Sequence, residues 1–376
     1  MIEFFKTQGT KPYDIGFSHG ERFKDKIMAS IVNYKDVFKV YAGLEWETCI
    51  DLARPFHHVI KSFDAGMIEE MEGIAEGSGV PYDEILLINC HHEIMFMNSY
   101  LAAERKRGGC TAIAVVPERT KDGHMIHGQN LDFNPGHEEF LVLLEIEQEG
   151  KPRILTVTEA GTIGKLGMNS KGVAVTGTAI ETPGVPLGLP TNAVLRKILN
   201  SKNLSDAIYV ISSHPCACAY TYTISINDGE VVNVEVVPED YEVLYPEDGL
   251  CVHTNHYISQ RLLAKHPDMM RIVCTNTQIR YGRARRLLNG LDRPITIDDF
   301  KMIFTDHANF PESICWHPDT RIKNVSAQVK DACSLIMDTT AGILLLAKGN
   351  PCENEYVQYE MQMDNKPMKP IAWSNV

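Results

Sequence analysis

The stretch Arg105-Lys106-Arg107-Gly108-Gly109-Cys110-Thr111-Ala112-Ile113 sets two glycines against a cysteine, with basic residues before them and a β-forming apolar run after. Gly108 and Gly109 allow backbone conformations and close approaches that a side chain forbids. A peptide bond held in such a place is open to attack by the thiol of the residue that follows it. Cleavage between Gly109 and Cys110 would leave Cys110 with a free α-amino group. Such an amine has a pKa of about 7.7–8.0 and can act as base for its own thiol. A cysteine nucleophile could then work without a catalytic histidine. The plainer reading of Cys110 is a small buried hydrophobe at the start of a strand.

A carboxylate can be set beside this thiol. Thr111–Val116 and His124–Asp132 read as the two strands of a hairpin, with Lys121-Asp122-Gly123 as the turn signal. A turn centred near Lys121 puts Asp132 directly opposite Cys110, within side-chain reach across the ladder. A slip of one residue would turn it to the other face.

The elements that must position these groups fall into two halves. Before residue 109 the chain reads mainly as helix: Met67, Ile68, Met71, Ile74 and Ala75 recur at helical spacing, with Gly77 and Gly79 as the stop. "VPYDEILLIN" reads as a second short helix with Pro81 near its start. From Thr111 strand-like runs dominate: "TAIAVV", "HMIHGQNLDF", "EFLVLLEIEQ", "RILTVTEA", "GVAVTGTAI", "YTYTISIND" and "VVNVEVV". Helical patterns return at "TNAVLRKILN", "LSDAIYVISS" and "NTQIRYGRARRLLNGL", and "ACSLIMD" and "GILLLAKG" read as closing strands. This order suggests two packed, largely antiparallel sheets with helices outside, an α+β arrangement.

Bulk properties narrow the function. A chain of 376 residues with 44% hydrophobic and 23% charged residues fits one large globular domain. A formal charge of −13 argues against nucleic acid as a partner. The arginines Arg280, Arg283, Arg285 and Arg286 on a predicted helix read as a solvated face, as do Arg105 to Arg107. No apolar run approaches the roughly 18 residues of a membrane span, and the N-terminus does not read as a signal peptide. Ten cysteines without a secretory signal read as reduced thiols in the cytoplasm.

Taken in order, "IGFSHGERF", "EEMEGIAEGSGVPYDEILLIN", "GCTAIAVV", "HGQNLDF", "TEAGTIGKLGMNSKGVAV", "GLPTNAVLRKIL", "VHTNH" and "FPESIC" resemble the acyl-coenzyme A:6-aminopenicillanic acid acyltransferase-like family. This is peptidase group C45, within the N-terminal-nucleophile hydrolases. The resemblance implies a four-layer αββα sandwich and a precursor that cuts itself. Residues 1–109 would form an α-chain and residues 110–376 a β-chain that stays bound to it, together one αββα domain. It implies Cys110 as the autoproteolytic and catalytic nucleophile and Asp132 as the acid that orients its amine or assists processing. Asn255 in "VHTNH" is similar to the family's oxyanion-hole asparagine; alone, it reads equally as a loop-stabilising amide. A backbone N–H near Thr178 is the second candidate donor.

The chain departs from the family's pattern in places. Only Lys330 and Asp331 stand where some members carry an arginine before the penultimate strand. Asn89-Cys90-His91-His92-Glu93 and Trp316 also differ, so penicillin-type specificity is not carried over. The expected activity is hydrolysis of a small N-acyl amide, an N-acyl amino acid or peptide, through a thioester acyl-enzyme. The alternatives are acyl-coenzyme A-dependent transfer at the same site and a non-catalytic protein that stays uncut. No cofactor or metal is expected: His253 and His256 sit on a strand running into a loop without a carboxylate set, and His91 and His92 read as satisfied or solvent-facing at a helix end. Cys216 and Cys218 read as packing, and "GTIGKLG" has its lysine in the wrong place for a phosphate loop. A homo-oligomer is left open.

Overall fold

The computed structural model describes residues 1–97 and 109–364. Arg105 to Gly108, singled out above, lie outside them. The first segment holds the strand β1 (Glu3–Lys6) and seven helices: α1 (Pro12–Arg22), α2 (Lys24–Ala42), α3 (Trp46–Ala53), α4 (Phe56–Phe63), α5 (Ala65–Ser78), α6 (Tyr82–Asn89) and α7 (His91–Met97). The predicted helices are α5 and α6. Gly79, in the left-handed region at φ 71°, caps α5, whereas Gly77 lies inside it. Gly77 and Gly73 serve packing instead: a Cβ at either would lie 2.2 Å from a carbonyl oxygen of α1. The backbones of α1 and α5 therefore touch.

From Cys110 onward the strands are β2 (Cys110–Val115), β3 (Ile126–Phe133), β4 (Leu141–Ile146), β5 (Ile154–Glu159), β6 (Leu166–Asn169), β7 (Ala174–Ala179), β8 (Tyr220–Ser225), β9 (Val231–Val237), β10 (Asp240–Leu244), β11 (Leu250–His253), β12 (Lys330–Asp338), β13 (Ile343–Lys348) and β14 (Val357–Glu360). Among them run α8 (Thr191–Leu199), α9 (Leu204–Ser212), the short α10 (Gln260–Lys265) and α11 (Met270–Val273), α12 (Asn276–Asn289) and α13 (Ile297–Phe304). One sheet has the order β1-β4-β5-β6-β7-β8-β9-β10, the other β11-β2-β3-β12-β13-β14. All pairings are antiparallel except β1 with β4.

Three apolar layers hold four structural layers together. Val142, Leu144, Ile154 and Val175 of the first sheet pack on α1 to α9. Alternate residues of the same strands, Leu141, Leu143, Leu155 and Val157, face Leu131, Leu335 and Leu346 of the second sheet. The outer face of that sheet, with Ile113, Val115, Val252 and Ile336, meets Ala284 and Leu288 of α12 and Phe300, Ile303 and Phe304 of α13. The fold is the expected αββα sandwich. Because both sheets are covered on both sides, strands such as β2, β8 and β9 are buried at every residue. Polar ties also cross the gap: Gln129 of β3 donates to the Gly177 carbonyl at 2.9 Å and accepts from the Gly177 N–H at 2.8 Å.

The hairpin register differs from the expected one. Cys110 pairs with Leu131, not Asp132. The connection is not a tight turn at Lys121; it runs from Val116 to Met125 through a 3₁₀ turn at Pro117–Arg119. That shifts the pairing by one residue.

Candidate active site

Cys110 is the first residue of β2, buried in the second sheet between β11 and β3. The carbonyl and N–H of the Gly109–Cys110 bond and the next carbonyl are all engaged. The Gly109 carbonyl accepts from the Asp132 N–H at 3.1 Å. The Cys110 N–H donates to Asn255 Oδ1 at 2.8 Å, and the Cys110 carbonyl accepts from Arg280 Nη1 at 2.6 Å. Asp132 thus reaches the bond through its backbone, since the register that puts Leu131 opposite Cys110 puts Asp132 opposite Gly109. A Cβ on Gly109 would stand 2.3 Å from Arg280 Nη2 and 2.7 Å from Asn255 Oδ1, so glycine alone fits.

Arg280 corrects the reading of its helix as a solvated face. It is 1% exposed and makes three further bonds: to Thr111 Oγ1 (3.1 Å), Asn255 Oδ1 (2.9 Å) and Asn276 Oδ1 (3.1 Å). Among the described residues it has no hydrogen bond to a carboxylate, and the Trp316 ring lies 5.4 Å from the guanidinium. Arg283 and Arg285, by contrast, pair with Asp306 and Glu247 nearer the surface. A signal for Arg280 was present: the buried stripe Ala284, Leu288 extends back one turn to position 280.

Asn255 follows β11 in a turn tied to α12, its N–H donating to Thr277 Oγ1 at 2.7 Å. Its side chain does two jobs: Oδ1 accepts from Cys110 and Arg280, while Nδ2 donates to the Ala179 carbonyl at 2.9 Å. The side-chain N–H expected to face an oxyanion is therefore on Ala179. Thr178 lies inside β7 with its hydroxyl on His253 Nδ1 at 2.7 Å; the adjacent Ala179 lines the Cys110 pocket. His253 is further bound by Glu235 at 2.8 Å, and His256 by Thr277 at 3.0 Å.

Asp132 meets a second carboxyl. β3 and β12 pair Asp132 with Asp331, just before a bulge in β12. Burial raises both pKa values. Asp132, with the charge of Asp331 against it, goes well above the ordinary carboxylate range, and Asp331 goes up to about 7. Asp331 accepts from the Trp316 N–H at 2.9 Å and from Asn130 at 3.3 Å, so it is the better hydrogen-bonded member of the pair. Lys330 is not part of this pair, being bonded to Glu138 at 2.8 Å. Burial, and then the charge of Asp132, push the Cys110 thiol up to about 12, against the pull of the Asp132 N–H, Arg280 and Lys165.

The thiol opens on a cavity of about 60 Å³ walled by Tyr41, Phe96, Phe133 and Tyr220, with His92 and Lys165 among the polar groups. Lys165, from the glycine-rich "GTIGKLG", is bonded to the buried Glu159. His91 Nδ1 donates to the Ile88 carbonyl (2.8 Å), as a satisfied helix-end residue should. His92 departs from the expectation: it is buried against Phe96 and Tyr220, and its Nε2 has no partner among the described residues. Wider grooves of about 320 and 290 Å³ share no lining residue with this cavity.

The four-layer αββα sandwich is the fold class of the N-terminal-nucleophile hydrolases, and in this chain a buried thiol heads an inner strand. Residues 118–351 match the family profile described as acyl-coenzyme A:6-aminopenicillanic acid acyl-transferase. The 40 kDa form of acyl-coenzyme A:6-aminopenicillanic-acid-acyltransferase from Emericella nidulans is 33% identical over 316 residues, covering 82% of this chain and 83% of that protein. Among solved structures, penicillin V acylase from Agrobacterium tumefaciens matches with a TM-score of 0.45 at 13% identity, over 67% of this chain and 86% of that one. A variant of conjugated bile acid hydrolase from Clostridium perfringens matches with a TM-score of 0.48 at 14% identity, over 70% and 100%. The chain belongs to the acyl-coenzyme A:6-aminopenicillanic acid acyltransferase family, a family of enzymes.

Proposed function

We propose that this protein cuts itself between Gly109 and Cys110 and then acts as an N-terminal-cysteine amidohydrolase or acyltransferase on a small N-acyl amide. The observation that carries the reading is the set of bonds around Gly109–Cys110: the carbonyl on the Asp132 N–H, the nitrogen on Asn255, and a cation with neutral partners on the next carbonyl. In the first step Cys110 Sγ adds to the Gly109 carbonyl carbon, and the resulting oxyanion keeps its Asp132 N–H donor. The C–N bond then breaks as the Cys110 nitrogen gains the proton the thiol gave up, relayed by the Asp132–Asp331 pair. Water hydrolyses the Gly109–Cys110 thioester, leaving a carboxylate on Gly109 and a free thiol and amine on Cys110.

In the mature enzyme the α-amine of Cys110 takes over as base, held by Asn255 Oδ1. For Asn255 to serve the oxyanion instead, Nδ2 must leave the Ala179 carbonyl, and a second donor would come from the chain near Thr178. The aromatic walls of the cavity suit an apolar acyl group, and Lys165 supplies a cation at its edge. The residues 1–97 contribute Tyr41, His92, Met95 and Phe96 to these walls, which supports a cut α-chain that remains bound. Ten free cysteines support a reducing compartment, the cytoplasm.

The test is turnover of a panel of N-acyl amino acids, N-acyl peptides and acyl thioesters with an amine acceptor, by wild-type protein and by Cys110→Ala. The expected result is amide cleavage by wild type and a loss of at least about a thousandfold in the variant. Equal rates in the two proteins would refute the assignment of Cys110.

A further inference from the structure

A second constellation of reactive side chains lies outside the Cys110 cavity. His307 follows α13, Cys315 and His317 belong to the loop before β12, and Cys352 follows β13. One ligand atom from each comes within 4.8 Å of all the others. His307 Nε2 and His317 Nε2 are 3.1 Å apart, and the two sulfurs 3.5 Å. His317 Nε2 stands 3.7 Å from Cys315 Sγ and 3.3 Å from Cys352 Sγ. Bonds to zinc of about 2.0–2.1 Å from nitrogen and about 2.3 Å from sulfur give tetrahedral edges of roughly 3.3 Å for N–N, 3.6 Å for N–S and 3.8 Å for S–S. Four of the six separations lie close to these edges, and the two between His307 and the sulfurs fall within 4.8 Å.

We propose that His307, Cys315, His317 and Cys352 form a structural zinc site. Two thiolates and two imidazoles in tetrahedral array select zinc over the harder divalent cations, and their two negative charges balance it. Four protein ligands leave no open position, so the site is a brace and not a second reaction centre. Both cysteines are free thiols. The surroundings suit ligands: Asn350 Nδ2 points at Cys315 Sγ from 3.6 Å, and Glu353 stands 3.7 Å behind His317 Nδ1, on the side away from the cluster.

The site clamps a particular loop. Trp316, between two of the ligands, donates its N–H to Asp331 at 2.9 Å and accepts from the Asp331 N–H at 3.0 Å. Its ring faces Arg280. Zinc would therefore fix the segment that holds the carboxyl pair and the buried cation in place, a consequence that rests on the reading of the Cys110 site above.

Zinc binding itself is tested without reference to activity. Full-length protein from zinc-supplemented medium, passed over a weak chelating resin, is expected to carry one zinc per chain by elemental analysis. X-ray absorption at the zinc edge should give two sulfur and two nitrogen neighbours. Cys352→Ser and His307→Ala alter exposed ligands and should each drop zinc below about a tenth per chain with circular dichroism unchanged. If either variant fails to fold, cobalt loaded into the wild-type chain should still show thiolate-to-metal charge-transfer absorption. Metal-free wild-type protein, a Cys315–Cys352 disulfide in its mass map, zinc retained by both folded variants, or a zinc shell without sulfur would each overturn the proposal.

Discussion

Cys110 depends on neighbours that do not resemble a catalytic triad. Its thiol is held protonated by burial and by Asp132, and among the described residues the only full positive charge bonded to its backbone is Arg280. That arginine is buried with no carboxylate hydrogen-bonded to it among the described residues, a costly arrangement unless negative charge develops nearby. Its charge favours both a thiolate and an oxyanion at the Gly109 carbonyl. Replacing Arg280 with Gln keeps a side-chain donor and removes the charge. Self-cleavage of Arg280→Gln is expected to slow at least about tenfold, the cost of a charged against a neutral hydrogen bond, followed as precursor mass against time. An unchanged half-time would show that the cation serves packing alone.

At the scale of elements, the site is an accident of no single segment: β2 supplies the thiol, β3 the first carboxyl, β12 the second, the turn after β11 the asparagine and α12 the arginine. Much of this was legible. The strand beginning at Cys110, the helix stop at Gly79 and the strand-to-turn passage at His253 all follow from local pattern, because each is set by neighbours in sequence. The one-residue shift in the β2–β3 register was not legible, because Lys121-Asp122-Gly123 reads as a tight turn while the strands are joined by the longer path from Val116 to Met125. Nor was the meeting of Asp132 with Asp331, since it depends on a pairing of strands distant in sequence. Asp331 stood out beforehand only as a residue near a missing arginine. The same geometry gives Gly109 its own test. Gly109→Ala puts a methyl into Arg280 and Asn255, so precursor cleavage should fall by more than about tenfold while the fold persists, read by intact mass and circular dichroism. Normal cleavage would mean that the space around Gly109 does not set the reaction.

Several titratable groups are buried in the layers between helices and sheets, and the stability of the whole molecule should carry their signature. Asp132 and Asp331 have native pKa values raised above the ordinary carboxylate value of about 3.9, so the folded chain binds more protons than the unfolded one between there and about 7. Their contribution is fully present below that window and is lost as pH rises through it. His19, His91 and His127, which burial holds down to about 3, act oppositely, adding stability as pH rises toward about 6.5. Comparing uncut Cys110→Ala with Cys110→Ala/Asp331→Asn by denaturant midpoint from pH 4 to 8 isolates the pair. The double variant should gain stability relative to its parent as pH rises from 4 to 7; parallel curves would place the two carboxyls in ordinary surroundings. The sandwich also joins what the cut would separate: β1 completes the first sheet beside β4, and α1 to α7 cover it, so residues 1–109 should stay bound after cleavage. The most direct measurement is N-terminal sequencing, with intact mass, of the purified active protein. The account predicts two N-termini, the original one and a second reading Cys-Thr-Ala-Ile, the latter missing in Cys110→Ala. Fully active protein that remains one uncut chain would contradict it.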